Sequence, residues 1–150
     1  MGHLDSTHLM GKLISGNHLR TGRHCVFMLH AHLVFITKYR KKVFTNEMLV
    51  SMKEYMEKVC GDFETTLVEF NGETNHVHLL INYPPKVSIS KLVNSLKGVS
   101  SRRLRVDYAD AIDKIYWKGV LWSPSYFAGS VGGAPLSILK QYIEQQERPV

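Results

Sequence analysis

Histidines two residues apart occur twice in this chain, as His30-Ala31-His32 and as His76-Val77-His78. On a β-strand, where successive side chains alternate sides, either pair would set two imidazoles on one face. Two neutral imidazoles side by side can grip one divalent ion, and an ion with open positions polarises a phosphoryl oxygen. In NHVHLLI the residues Val77, Leu79 and Ile81 fall on the opposite side, as in a strand that lies on a core. With eight histidines in the chain, spacing alone neither selects a pair nor establishes a metal.

The bulk composition limits what such a pair is for. A net charge of +6 and a pI near 9.4 suit a polyanionic partner, because Lys and Arg that neutralise phosphates release condensed counterions. The 150 residues fit one domain with one core. No stretch is apolar over the length needed to cross a bilayer, and the first residues lack the continuous apolar block of a secretory signal, so a cytoplasmic protein is expected. Cys25 and Cys60 sit in no metal-ligand spacing and are expected as free thiols.

The elements that must position the histidines follow from periodicity. From Cys25 the run CVFMLHAHLVFITKY alternates, with Phe27, Leu29, Ala31, Leu33 and Phe35 on one face of a long strand that ends in the basic cluster Lys38, Arg40, Lys41 and Lys42. Met48, Met52, Tyr55, Met56 and Val59 stand at helical spacing, with Asn46 as cap and Gly61 near the stop. TLVEFNGETNHVHLLINYPP reads as two strands about the turn signal Asn71-Gly72, closed by Pro84 and Pro85. Ile89, Leu92, Val93, Leu96 and Val99 mark a second helix. LWSPSYFAG supplies a last strand, SVGGA a joint, and PLSILKQYIEQQ a final helix with Pro135 in its first turn. The order β, α, β, β, α, β, α predicts an α+β domain, a ferredoxin-like antiparallel sheet with helices on one face plus a C-terminal helix.

Five segments carry a family resemblance. HLVFITKYRKKVF, NHVHLL, LVNSLKGVSSRRLR, LWSPSYFAGSVGGAP and LKQYIEQQ occur in the same order in single-tyrosine HUH transposases of small bacterial insertion sequences, which the chain resembles from about Thr21 to Gln146. The resemblance divides the chain into an unmatched leader, residues 1–20, and a single domain, residues 21–150. It selects His76 and His78 over His30 and His32. It implies that these two histidines and Gln146 bind a divalent metal, Mg²⁺ or Mn²⁺, and that Tyr142 is the nucleophile. Tyr142 and Gln146 are four apart, on one face of a helix, while Leu136, Leu139 and Ile143 form an apolar stripe elsewhere. Attack by a phenolate on a phosphodiester would leave a 5′-phosphotyrosine, conserving bond energy for rejoining by a 3′-hydroxyl. Asn75 stands where the family often has an acidic residue, and neither it nor Glu69 is assigned to the site.

The expected substrate is single-stranded DNA, with hairpins at element ends as ligands and a homodimer joined by strand pairing, its composite sites combining the histidines of one chain with the tyrosine of the other; all of this is implied by the resemblance. A helical wheel groups Lys91, Asn94, Gly98, Ser101, Arg102 and Arg105 opposite the apolar stripe, so Lys91, Arg102, Arg105, Lys38 and Arg40 are the candidate DNA contacts. Tyr39, Tyr108, Tyr116, Trp117, Trp122 and Tyr126 are candidates for stacking on unpaired bases. Gly132 and Gly133 would serve as the hinge of the tyrosine helix. Two other readings are a repeat-associated or replication-type HUH endonuclease, and a non-enzymatic ferredoxin-like domain that binds nucleic acid.

Overall fold

A strand whose two sides are both apolar must be covered on both sides, and HAHLVFI is such a strand: six of its seven residues are buried. The computed structural model describes residues 20–22, 26–117, 119–130 and 136–146. In chain order its elements are β1 (Arg20–Thr21), β2 (Val26–Phe27), β3 (His30–Ile36), a 3-10 turn (Lys38–Arg40), α1 (Asn46–Asp62), β4 (Thr66–Glu73), β5 (His76–Asn82), α2 (Ile89–Asp107), the short α3 (Ala109–Asp113), β6 (Phe127–Ser130) and α4 (Leu136–Gln145). The main sheet runs β4-β5-β3-β6 with every neighbour antiparallel, the ferredoxin-like order expected.

One face of that sheet carries the main core. Leu33 and Phe35 of β3 and Val77, Leu79 and Ile81 of β5 pack against Met48, Met52 and Met56 of α1 and Leu92, Leu96 and Leu104 of α2. The helical stripes thus fall where their spacing puts them. On the other face Val34 and Ile36 are covered by Phe127, Tyr142 and Ile143, so β6 and α4 close the second side.

Three local expectations are corrected. The long strand from Cys25 is broken at Met28 and Leu29: β2 pairs with β1 in a separate two-stranded sheet, whereas β3 pairs with β5 and β6, and a change of partner requires a bend. Asn71 and Gly72 lie inside β4, and the hairpin turns at Thr74 and Asn75. Gly72 serves close approach instead of a turn, since a Cβ there would meet Leu49 Cδ2 at 2.5 Å. The first helix is capped by Thr45, whose hydroxyl accepts from Met48 N, one residue before Asn46. Arg20 donates to Asn82 O at 2.9 Å, Asn82 Oδ1 at 2.6 Å and Glu64 O at 2.9 Å.

Residues 1–19, Cys25, the Gly132-Gly133 joint and Pro135 lie outside the described residues. Cys60 is a buried free thiol, pushed up to about 12 by burial, hence not thiolate at neutral pH. Among the described residues no helix is long and apolar enough to cross a membrane.

Candidate active site

The register of β3 on β5 decides what the histidines see. Val34 pairs with His78 and Ile36 with His76, so His76, His78, Val34 and Ile36 share the face opposite the main core. His32 and His30 belong to the same face, because they stand two and four residues before Val34. Four histidines therefore share one sheet surface, and they divide by partner. His30 is buried and its Nε2 lies 3.1 Å from Asn82 Nδ2 at the far end of the strands. His32 and His78 touch, Nδ1 to Nε2, at 2.8 Å. His76 Nδ1 is 2.9 Å from Asn75 Oδ1.

The turn that carries Asn75 is fixed from outside the hairpin. Thr37 N donates to Asn75 O at 3.0 Å, while Val43 N and Phe44 N donate to Thr74 O at 2.8 and 2.9 Å. Because Asn75 Oδ1 is an acceptor, His76 carries its proton on Nδ1 and keeps a lone pair on Nε2. Burial lowers the pKa of both His76 and His78, with His32 adding a smaller effect in the same sense at His78; Glu73 and Glu69 act the other way on His76 and His78 respectively. Both rings are consequently neutral, the form that ligates metals.

Above these rings lies a pocket of about 400 Å³ lined by Val34, Glu73, His76, His78, Lys140, Ile143 and Glu144. Helix α4 forms its roof with Lys140, Ile143 and Glu144. Tyr142 and Gln146, one turn apart as their spacing requires, are on a different side of that helix. The Tyr142 hydroxyl is 3.0 Å from Ser125 Oγ, and the Ser125 hydroxyl donates to Gln146 Oε1 at 3.1 Å. Since Ser125 has one proton to give, the phenol donates to Ser125. The tyrosine ring rests on Phe127 with centroids 5.5 Å apart, and burial raises its pKa despite the lowering effect of Ser125. The structure thus gathers the two histidines, and separately the tyrosine with the glutamine, without bringing Tyr142 or Gln146 into the lining of the histidine pocket.

The two imidazoles suit a divalent ion in chemistry and protonation. Among the described residues no three His, Cys, Asp or Glu side chains converge to enclose one; an ion held by these two rings would need a further donor, for which an amide carbonyl such as that of Gln146 is a competent type.

The basic residues have diverse employment. Lys91 and Arg102 are exposed on α2, which stands on the opposite face of the sheet from the histidines. Arg105 is instead engaged within the fold, donating to Trp117 O at 2.9 Å and to Val120 O, with Asp113 3.6 Å away. Arg40 donates to Ile143 O at 3.2 Å and Glu144 O at 3.0 Å, capping the last turn of α4. Lys38 Nζ lies over the Tyr39 ring at 5.4 Å. Of the aromatic residues, Tyr116 is buried and Trp122 is anchored to Ser100 Oγ at 3.0 Å, whereas Trp117 is 86% exposed.

Lys97, within LVNSLKGVSSRRLR but not among the candidate site residues, supports the loop that holds the tyrosine. Its ammonium donates to Ser123 O at 2.8 Å and Ser125 O at 2.9 Å, and lies 5.7 Å from the Phe35 and Tyr126 ring centroids. Burial pushes its pKa down from 10.5 to about 8. A lysine with a lowered folded pKa takes up a proton on unfolding between those values, so stability attributable to it rises as pH is raised through that window. The urea stability of the wild type relative to Lys97→Met is therefore expected to improve from about pH 7 to about pH 10. A difference that does not change with pH would refute the assignment.

A family model described as IS200-like transposase matches residues 25–146. The ISDra2 transposase TnpA of Deinococcus radiodurans is 32% identical over 128 residues, 85% of this chain and 91% of that protein. The transposase for insertion sequence element IS200 of Salmonella typhimurium is 31% identical over 115 residues, 77% of this chain and 74% of that protein. A crystal structure of a Deinococcus radiodurans R1 protein described as a transposase superposes with a TM-score of 0.79 at 32% identity, covering 86% of this chain and 98% of that one. The REP-associated tyrosine transposase bound to a REP hairpin shares the fold, with a TM-score of 0.54 at 10% identity over 83% of this chain and 68% of that one. From the matched length and these relatives, the chain belongs to the IS200-like transposase family.

Proposed function

We propose that this transposase cuts and rejoins single-stranded DNA at the ends of an insertion sequence, with Tyr142 as nucleophile and a 5′-phosphotyrosine as intermediate. The observation that carries the reading is the placement of a tyrosine helix across a sheet face bearing two neutral, half-buried histidines. His76, His78 and the Gln146 carbonyl would hold Mg²⁺ or Mn²⁺, which supplies polarisation of the scissile phosphate and charge stabilisation at the leaving 3′-oxygen. Tyr142 oxygen forms the new bond to phosphorus as the bond to that 3′-oxygen breaks, and its proton passes to solvent.

The separation of Tyr142 from the histidines beneath its own helix favours a site completed by a second copy, in which the helix of one chain serves the histidines of the other. A hinge at Gly132 and Gly133 would permit the exchange. Lys91 and Arg102 on α2 are free to meet phosphates, with Lys38 nearer the site; Arg40 and Arg105 already spend donors on backbone carbonyls. Hairpin DNA is the proposed ligand, the kind of ligand held by the REP-associated protein of the same fold.

The test is to incubate the protein with labelled single-stranded hairpin DNA and Mn²⁺, isolate denaturation-resistant adducts, and map the modified peptide by mass spectrometry. A nucleotide on Tyr142 is expected. Strong DNA binding with no adduct on any tyrosine would point to a binding module instead.

A further inference from the structure

Histidine side chains that hold metals generally use one ring nitrogen for the ion and donate the other N–H to a fixed acceptor, which sets tautomer and ring orientation. Asn75 has this relation to His76. Among the described residues no amide, carboxylate or carbonyl is hydrogen-bonded to the His78 ring; its Nε2 meets His32 Nδ1.

The form of that contact is informative. The two rings are nearly parallel, 18° apart, with centroids 5.0 Å distant, yet the nitrogens are only 2.8 Å apart. Nitrogens much closer than centroids mean that the rings meet edge to edge, lone pair against N–H, and not face over face. One proton lies between them. If it belongs to His78 Nε2, then His32, neutral and accepting at Nδ1, carries its own proton on Nε2. Both rings are then in the Nε2–H form that the free side chain prefers in water. The reverse assignment places both in the less favoured form.

We propose that His32 is the positioning residue of His78: it accepts the His78 Nε2–H and leaves Nδ1 of His78 as the ligating atom, opposite in sense to His76, which presents Nε2. This deepens the metal-binding reading above and rests on it. The two imidazoles are held by different partners, His76 by the turn residue Asn75 and His78 by a neighbour on the adjacent strand. The β3–β5 pairing therefore sets the orientation of the second ligand, and His32 belongs to the site by contact with a ligand, not with the ion.

Two measurements test this. In the metal-free protein, two-bond ¹⁵N–¹H histidine spectra are expected to show His78 protonated at Nε2 and bare at Nδ1, with His76 the reverse. A His78 protonated at Nδ1 overturns the proposal without any metal present. By calorimetric titration with Mn²⁺, His32→Ala is expected to weaken affinity on the order of 10- to 100-fold, and His32→Asn, whose carbonyl replaces Nδ1 as acceptor, to recover most of it. Unchanged or tighter Mn²⁺ binding in His32→Ala, with normal binding by the wild type, overturns the role of His32 alone. No Mn²⁺ binding by the wild type removes the metal reading and this inference with it.

Discussion

Tyr142→Phe is expected to form no covalent adduct and to lower cleavage of hairpin DNA by roughly three orders of magnitude or more, the scale on which loss of a nucleophile shows. The substitution is a clean probe because of what the side chain touches. Its ring keeps the contact with Phe127 and its share of the cover over Val34 and Ile36. Only the hydroxyl is lost, and its partner Ser125 is exposed, so unfolding stability should fall by about 1 kcal/mol or less. DNA affinity, which depends on basic surface, should be unchanged. An adduct that persists in Tyr142→Phe would transfer the chemistry to another residue.

His76→Ala and His78→Ala are each expected to reduce cleavage roughly 100-fold or more, since charge stabilisation by a bound ion amounts to several kcal/mol of the barrier. Hairpin binding should remain within about threefold of wild type, because neither ring belongs to the basic surface. The two kinds of variant separate by response to metal. Raising Mn²⁺ should restore part of the loss in a histidine variant, where occupancy is at fault, by mass action. It should do nothing for Tyr142→Phe. Activity equal to wild type in either histidine variant would remove that residue from the ligand set.

Elements whose periodicity reports burial were legible in the sequence. Met48, Met52 and Met56 were placed on the buried face of α1, and the alternation of HVHLLIN set His76 and His78 apart from Val77, Leu79 and Ile81, all as found. What failed were inferences from a local signal with two meanings. Gly72 beside Asn71 has the composition of a turn, yet only the tertiary fold shows that the side chain of Leu49 occupies the space of its Cβ. Alternation past Phe27 looks continuous because a strand that changes partners keeps its period.

At the site, sequence resolves residue types but not neighbours across strands. His32 lies 46 positions from His78, and nothing in the spacing of either reveals that β3 and β5 are adjacent in this register. Ser125, which holds both Tyr142 and Gln146, is likewise brought to them only by the return of the chain through β6 into α4. Arg40 read as exposed basic surface because the carbonyls it caps belong to a helix about a hundred residues later.

The cover that α4 gives to Val34 and Ile36 has a consequence for how that helix can travel. These two side chains are 1% exposed, and baring both to water would cost roughly 3 to 6 kcal/mol at the usual 1.5 to 3 for an aliphatic side chain. A helix that simply lifted away would incur the part of that cost that Phe127 of β6 does not cover, in addition to the loss of the Arg40 and Ser125 contacts. A helix replaced by its counterpart from another copy would not, because the incoming Tyr142 and Ile143 would cover the same surface. In the proposed dimer the sheet face would therefore favour substitution over vacancy: departures of the two helices would be coupled, and the rate at which one leaves would depend on the presence of the other.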